Sequence, residues 1–396
     1  MTLWRGLLRR LAPLIQGPAG LRPVTLGGPG RWDKTLGLAT LTLTGVGLLM
    51  IYSATAATAA RPTAYLEGQG IKVLVGFMAF MFGYRIDYHL WWRWAPVLFL
   101  AGFVALLLVF VPHVGHVAGG ARRWIQVGSQ TFQPTDFARL GFVVYLAFLL
   151  SKPRETLERF TTGLVPCLLV LGLIVFPVLK QPNLSTALAL TMIAALMLVA
   201  GGIPWRHLLA VSAPVALALP WLGRGYQSGR IDNWLGYLFR GENLLGGNYQ
   251  LNQSIIAIGS GGLFGQGPGA SRQKWLFLPD VRTDFIFSIL GEEWGFVGAV
   301  FVIALLVLIL WRAYVAARRA PDRFGSLLAA GIGCSVAVYA TVNIFVATGL
   351  FPTTGLPLPL VSYGGSAVLT TLFSLGILMN IATQRGVPWV DVGDLE

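Results

Sequence analysis

Three charged side chains, Asp280, Arg282 and Asp284, stand in the run Pro279-Asp280-Val281-Arg282-Thr283-Asp284-Phe285-Ile286-Phe287, where a long polar loop meets a strongly apolar segment. A carboxylate at such a seam lies at the depth of a lipid headgroup. There it can take a proton from a membrane-tethered substrate within hydrogen-bond reach. A neighbouring guanidinium can hold an anionic group of the same substrate. The same residues also fit a solvated loop with one local ion pair. Glu292 and Glu293 follow roughly 12–14 Å further along the next helix axis. Ionisable residues within a span are costly and functional by default; the bland reading is a structural pair bonded to neighbouring helices.

Other polar clusters fall in turns between apolar runs. Gly119-Gly120-Ala121-Arg122-Arg123-Trp124-Ile125 offers two arginines for a pyrophosphate, with Trp124 stacking on a sugar or anchoring at the interface. Asp136 and Arg139, three apart, pair on one helix face. The stretch Asn248 to Gly267, with Gln253 and Ser254, leads into Ser271-Arg272-Gln273-Lys274. Its glycines let backbone amides approach phosphate oxygens, but no Gly-Lys-Ser/Thr follows and a nucleotide loop is not supported. A flexible loop is the simpler reading. Lys180-Gln181-Pro182-Asn183 marks a further turn. Pro352 to Pro359, continuing through Ser362 and Tyr363 to Ser366, reads as a broken or re-entrant segment lining a polar cavity, or as a rigid turn. His113 and His116 share a loop with no metal-ligand set around them. Cys167 and Cys334 lie inside apolar segments as small core residues.

The elements that must position these residues are read from composition. Of 396 residues, 55% are hydrophobic and 11% charged, against about 25% charged in soluble domains. Runs long enough to cross a bilayer recur from Leu36 to Thr383. The fold class is all-α: a polytopic membrane protein of about ten helices, near 36–55, 70–84, 95–112, 136–151, 161–179, 184–202, 208–222, 285–311, 327–349 and 366–384. The +13 net charge sits in short loops with no basic–aromatic stripe, so it reads as topology rather than nucleic-acid binding. Lys and Arg favour the N-terminal segment and alternate loops, placing both termini on the cytoplasmic side and the long loop 223–284 outside. The divisions are a basic N-terminal segment, 1–32, a transmembrane domain, 33–386, and a cytoplasmic tail, 387–396. In the first of these, Trp4, Leu7, Leu8, Leu11 and Ile15 follow helical spacing beside arginines, as in an interfacial helix; a disordered basic tail fits equally. Within the long loop, Leu251, Ile255, Ile256 and Ile258 predict a short helix lying on the membrane.

At these motifs the chain resembles the SEDS (shape, elongation, division and sporulation) family of FtsW and RodA, from about Asp33 to Arg385. The matching stretches are Gly120 to Ile125, Gln133-Pro134 with Asp136, Tyr249 to Gly267, Pro279 to Phe287 with Gly291-Glu292-Glu293, and Gly355 to Gly365. Ser271 to Lys274 and Pro352 to Gly355 resemble the division branch, whereas the bare Leu356-Pro357-Leu358-Pro359 is shared with the elongation branch. The departures are Asn183 for a common aspartate, Arg282 for histidine, Asp280 for glutamate and Arg139 for lysine; the first puts a catalytic role at that position in doubt.

The resemblance implies a peptidoglycan glycosyltransferase of the bacterial cytoplasmic membrane that polymerises lipid II at its outer face, with Asp284 as catalytic residue. It implies lipid II and the nascent glycan strand as ligands, a class B penicillin-binding protein (a transpeptidase) as partner, and company among divisome or elongasome membrane proteins. A divalent cation, magnesium or manganese, is the cofactor it suggests, with Asp284 as a ligand in that case; no organic cofactor is expected. Arg122, Arg123, Trp124, Lys274, Asp280, Arg282, Gln253, Ser254, Ser362 and Tyr363 are the expected substrate contacts. Asp136, Arg139, Glu292 and Glu293 are expected to support them. The readings from other classes are a lipid II flippase, which Lys72, Glu292 and Glu293 keep open, and a non-catalytic scaffold for the transpeptidase.

Overall fold

A computed structural model describes residues 32–56, 61–112, 114–118, 121–128, 130–210, 232, 234–236, 239, 249–275 and 277–384. The N-terminal segment up to residue 31, the tail from 385, most of the expected span 208–222 and the loop's first half lie outside the described residues.

Helix α1 spans Lys34–Ala56, α2 Pro62–Arg85 and α3 His89–Leu108. A three-stranded sheet follows, β1 Gly115–Ala118, β2 Ala121–Val127 and β3 Gln130–Phe132. Then come α4 Pro134–Leu150, the short α5 Arg154–Glu158, and α6 Val165–Lys180, entered through a π-turn at Phe160–Leu164. Helix α7 spans Leu184–Ala200, α8 Tyr249–Gly261, α9 Ile286–Arg319, α10 Arg323–Ala347 and α11 Gly365–Thr383. Among the described residues seven helices are long and apolar enough to cross a membrane, with Leu184–Ala200 a shorter apolar companion. The expected all-α polytopic architecture is what forms.

Local chemistry sets the helix starts. Asp33 accepts from the Leu36 N–H, Asn183 from Thr186 and Asp322 from Gly325, each capping a first turn. Pro62 and Pro134 open α2 and α4, where a missing N–H costs nothing. The Asn183 cap also accounts for an amide where a carboxylate was expected, because either caps equally well.

Helices α10 and α11 are the most buried spans. Helix α2 packs against α11 where glycines leave no room for a Cβ: Gly83 against the Phe373 carbonyl and Gly376 against that of Phe80. Close backbone approach of this kind drives helix association in lipid, where burying apolar surface gains nothing. Leu38, Leu74, Phe82, Leu100, Val300 and Trp311 point outward from the bundle, as a lipid-facing surface requires.

Sequence reading missed the sheet. Ala118 pairs with Ala121 and Val127 with Gln130. The Gly119-Gly120 and Gly128-Ser129 pairs of the sequence between short strands are the available signal. The helix predicted to lie on the membrane packs instead against α9 and α10. It buries Leu251, Ser254, Ala257 and Gly261 and leaves Ile256 exposed.

Helix α9 is broken at Gly295, which has φ 66° and ψ −164°, a conformation closed to residues with a Cβ. The break frees backbone groups, and the chain after α8 takes them up. Gln266 and Gly267 N–H donate to the Glu292 and Glu293 carbonyls, while Phe296 and Val297 N–H donate to those of Gly262 and Leu263. From Phe296 to Arg319 the helix runs roughly 36 Å, enough to cross a bilayer by itself. Glu292 and Glu293 therefore sit at the end of the apolar stretch rather than in its middle.

Candidate active site

The turn carrying Asp284 begins at Asp280, whose φ is 52°, a left-handed conformation that Asp tolerates better than most residues. The Asp280 carbonyl accepts from the N–H groups of Thr283 (3.1 Å) and Asp284 (3.2 Å), and its side chain is exposed. Neighbouring elements clamp the turn. On α10, Asn343 Nδ2 donates to the carbonyls of Asp284 and Leu356, both at 2.8 Å. Ser362 Oγ donates to the Thr283 carbonyl at 2.5 Å and accepts from the Leu358 N–H at 2.8 Å. The Tyr363 N–H donates to the Arg282 carbonyl at 2.8 Å. The proline-rich segment 352–364 has no helix, buries Leu356, Leu358, Leu360 and Val361, and meets α1 at Gly47, where a Cβ would collide with the Leu360 carbonyl. The segment is non-helical, as its prolines predict.

The Asp284 carboxylate is half-buried and faces Gly355, where an added Cβ would lie 3.4 Å from Oδ2. Beside it, Thr354 Oγ1 is buried with no hydrogen-bond partner among the described residues. Asn343 stands 20 positions beyond Arg323, roughly 30 Å along α10. The site thus lies a bilayer's thickness from the end holding Lys34, Arg85, Arg319 and Arg323.

Arg282 stacks its guanidinium 4.6 Å from the centre of the Tyr65 ring and 5.9 Å from that of Tyr363. The two tyrosines meet edge-on at 5.9 Å. Lys72 reaches the same place from α2, donating to the Tyr363 hydroxyl at 3.0 Å and lying 4.4 Å from its ring centre. The fold therefore gathers Asp284, Arg282, Ser362 and Tyr363, and adds Lys72, Tyr65 and Asn343 to them. Sequence reading did not connect Asn343 or Tyr65 with the site; the one available signal is a lone amide in the apolar run of α10.

Other candidates are engaged elsewhere. Lys274 is buried and bonds Glu293 Oε1 (3.1 Å), Ser53 Oγ (3.3 Å) and the Gly269 carbonyl (2.6 Å). Its charge is spent inside the protein. Glu293 also accepts from Ser53 Oγ (2.5 Å) and the Gly269 N–H (3.0 Å), and Glu292 from the Arg272 N–H (2.9 Å) and Ser271 Oγ. The two glutamates are a staple holding segment 269–274 against α1 and α9, the structural alternative left open above. Ser254 is fully buried between Ser288 Oγ (2.6 Å) and the Ala347 carbonyl (2.7 Å), which pins α8 in place; Gln253 beside it is half-buried.

On the sheet, Arg123 donates through Nε to the Gln181 carbonyl (3.1 Å) and through its terminal nitrogen to that of Pro182. It closes the turn between α6 and α7. Arg122 is exposed and Trp124 half-buried. Asp136 accepts from Ser366 Oγ at 2.8 Å, and Arg139 lies 3.9 Å from Asp136 with its guanidinium 4.1 Å from the Tyr339 ring centre. Arg139 also lines a cavity of about 20 Å³ with Ser335, Thr371 and Ser374, room for one water. This pair ties α4 to α10 and α11. Among the described residues, no three His, Cys, Asp or Glu side chains converge as a metal site.

The family model described as "Cell cycle protein", covering FtsW, RodA and SpoVE, matches residues 34–386. A Geobacter sp. (strain M18) protein named a probable peptidoglycan glycosyltransferase FtsW is 37% identical over 359 residues, 89% of this chain and 97% of that one. Among solved structures, a chain of a peptidoglycan synthase complex that coordinates polymerization and crosslinking superposes with a TM-score of 0.74 at 28% identity, covering 89% of this chain and 97% of its own. The Thermus thermophilus rod shape determining protein RodA gives 0.66 at 28% identity, with coverage of 89% and 97%. The match spans every element that builds the Asp284 site, and the chain belongs to the FtsW/RodA/SpoVE family of multi-pass membrane proteins.

Proposed function

We propose that this chain is a peptidoglycan glycosyltransferase that polymerises lipid II at the outer face of the bacterial cytoplasmic membrane. One observation carries the reading: a half-buried carboxylate, Asp284, lies against Gly355 at one end of the bundle, next to an arginine stacked on two tyrosines. The relatives' names support the reaction. The crowding of Lys and Arg at the Lys34 end supports a cytoplasmic assignment for that end, and an outward one for Asp284.

The acceptor's sugar hydroxyl approaches Asp284, which takes its proton as the oxygen attacks the donor's anomeric carbon. A new C–O bond forms with inversion, and the bond from that carbon to the phosphate oxygen breaks. The polyprenyl diphosphate leaves as a stable anion, so it needs charge neutralisation rather than a second, protonating carboxyl group. Arg282 supplies one positive charge, and its stacking on Tyr65 and Tyr363 fixes its plane. Exposed Arg122 is available to the glycan strand. A magnesium or manganese ion fits only if Asp284 gives one oxygen and the substrate's phosphates and water give the rest, the usual habit of magnesium; when bound it would neutralise the departing diphosphate. Asp284 would then be its ligand rather than the base. A class B transpeptidase is the partner we propose, by likeness to the synthase complex.

The test is glycan synthesis from lipid II by the purified protein, with and without its partner, read on a gel. Long glycan chains are expected. Transport of lipid II across vesicles without polymer would make the protein a flippase, and neither activity would make it a scaffold.

A further inference from the structure

We propose that Lys72, with Arg282 and the N-terminus of α11, forms a binding site for the diphosphate of a membrane-tethered substrate. This rests on the reading of Asp284 as the reacting carboxylate and adds to it the group that holds the leaving anion.

Both cations sit on one phenol ring, that of Tyr363. No ion pair joins either to a carboxylate among the described residues. Like charges brought together this way repel, and the arrangement becomes favourable when an anion lies between them. Elsewhere the protein does neutralise its buried lysine, pairing Lys274 with Glu293; it does not do so here.

Helix α11 begins at the same point. A Cβ on Gly365 would lie 3.2 Å from Lys72 Cδ, and the N-cap, Gly364, has no side chain to satisfy the first-turn N–H groups. A helix N-terminus left uncapped next to two cations favours negative charge. Gln69 lies between Tyr65 and Lys72 on one stripe of α2, at positions i, i+4 and i+7. It is 1% exposed, yet its Oε1 has no partner among the described residues; as an acceptor it calls for an N–H or O–H donor of the ligand rather than for the phosphate oxygens themselves.

Depth selects the ligand. Lys72 is 13 positions from Arg85 and Tyr65 is 20, so they stand roughly 20 and 30 Å along α2 from that end. The lysine stem lifts its ammonium outward from the tail region to Tyr363. A diphosphate between an isoprenoid tail and a sugar needs cations at these two neighbouring levels.

The experiment uses the full chain in detergent, comparing wild type with Lys72→Gln and Lys72→Arg. Binding of a polyprenyl diphosphate, a polyprenyl monophosphate and inorganic pyrophosphate is measured directly, and the KM and kcat for lipid II alongside. Lys72→Gln is expected to weaken polyprenyl diphosphate binding about ten- to hundredfold, the usual value of a charge-assisted hydrogen bond. It should raise KM by a similar factor, with unfolding temperature unchanged and Lys72→Arg retaining most of the affinity. Lys72→Met fills the same space without charge and replaces the glutamine variant if that one does not fold. Unaltered diphosphate binding in both neutral variants would overturn the proposal and leave Lys72 as a packing residue. Equal competition by phosphatidylglycerol vesicles would also overturn it, marking a general lipid surface. Lys72-dependent binding in a protein that makes no glycan would keep this site and refute the polymerase reading. Glycan synthesis indifferent to Lys72 would do the reverse.

Discussion

The Asp284 backbone carbonyl is held by Asn343, and its carboxylate faces Gly355. Two substitutions separate these roles. Asn343→Leu keeps the volume but strips the buried Leu356 carbonyl and the partly buried Asp284 carbonyl of their donor, so we expect a loss of about 1–3 kcal/mol. Polymerisation should fall further than stability does, comparing thermal unfolding with glycan yield. Gly355→Val puts branched carbons against Asp284 Oδ2; we expect a folded protein with glycan synthesis reduced at least about tenfold, because the acceptor hydroxyl loses its near-attack position. The place of Asp284 at the start of a long helix was legible in the sequence, because an acid at the end of a polar loop is followed directly by the apolar Phe285-Ile286-Phe287. Asn343 was not, because a single amide in an apolar helix does not say which carbonyls it will meet. Lys274 misled for a related reason: a lysine after a glycine-rich run looks ready for phosphate until Glu293 is found 3.1 Å away.

At the scale of elements, the break at Gly295 and the Glu292–Glu293 staple beside it fix segment 262–274 against α1 and α9. Glu293→Ala would leave Lys274 as an unpaired buried cation, which costs about 3–5 kcal/mol. Replacing both, Lys274→Met with Glu293→Met, should recover much of that loss, read as unfolding temperature in detergent. A double variant less stable than Glu293→Ala would show that the pair is not the staple's main support. Helix positions were readable from apolar run length, since a span must bury about 20 residues in lipid whatever its neighbours do. The strands at Gly115–Phe132 were not, because a polar hairpin of 3–7 residues per strand carries little periodicity. The staple was equally hidden, since segment 269–274 and Glu292–Glu293 meet only through tertiary folding.

Across the whole molecule the two ends differ in chemistry. The end opposite Asp284 is closed by structural polar contacts: Arg312 to Asp33, and Tyr88 and His89 to Asp322, which caps α10. Burial pushes the Asp322 carboxyl up, but hydrogen bonds from His89, Tyr88 and the Gly325 N–H outweigh it and hold the group below the usual carboxylate range. A carboxylate depressed in the fold adds stability that is full above its unfolded pKa, about 3.9, and is lost as pH falls through the lower folded value. The wild type should therefore hold a constant advantage of about 0.5–2 kcal/mol over Asp322→Ala at neutral pH, the usual worth of an N-cap. That advantage should close below about pH 4 in unfolding experiments, with little change in glycan synthesis at neutral pH. Asp284 and Arg282 lie at the opposite end, and the proposed function rests on the Asp284 carboxylate acting as the base. The most direct measurement is lipid II polymerisation by purified wild type and Asp284→Asn at equal amounts of folded protein. The account predicts that the amide, which keeps the shape but cannot take a proton, loses at least about a hundredfold in rate. Asp284→Asn making glycan at a rate near wild type would contradict it.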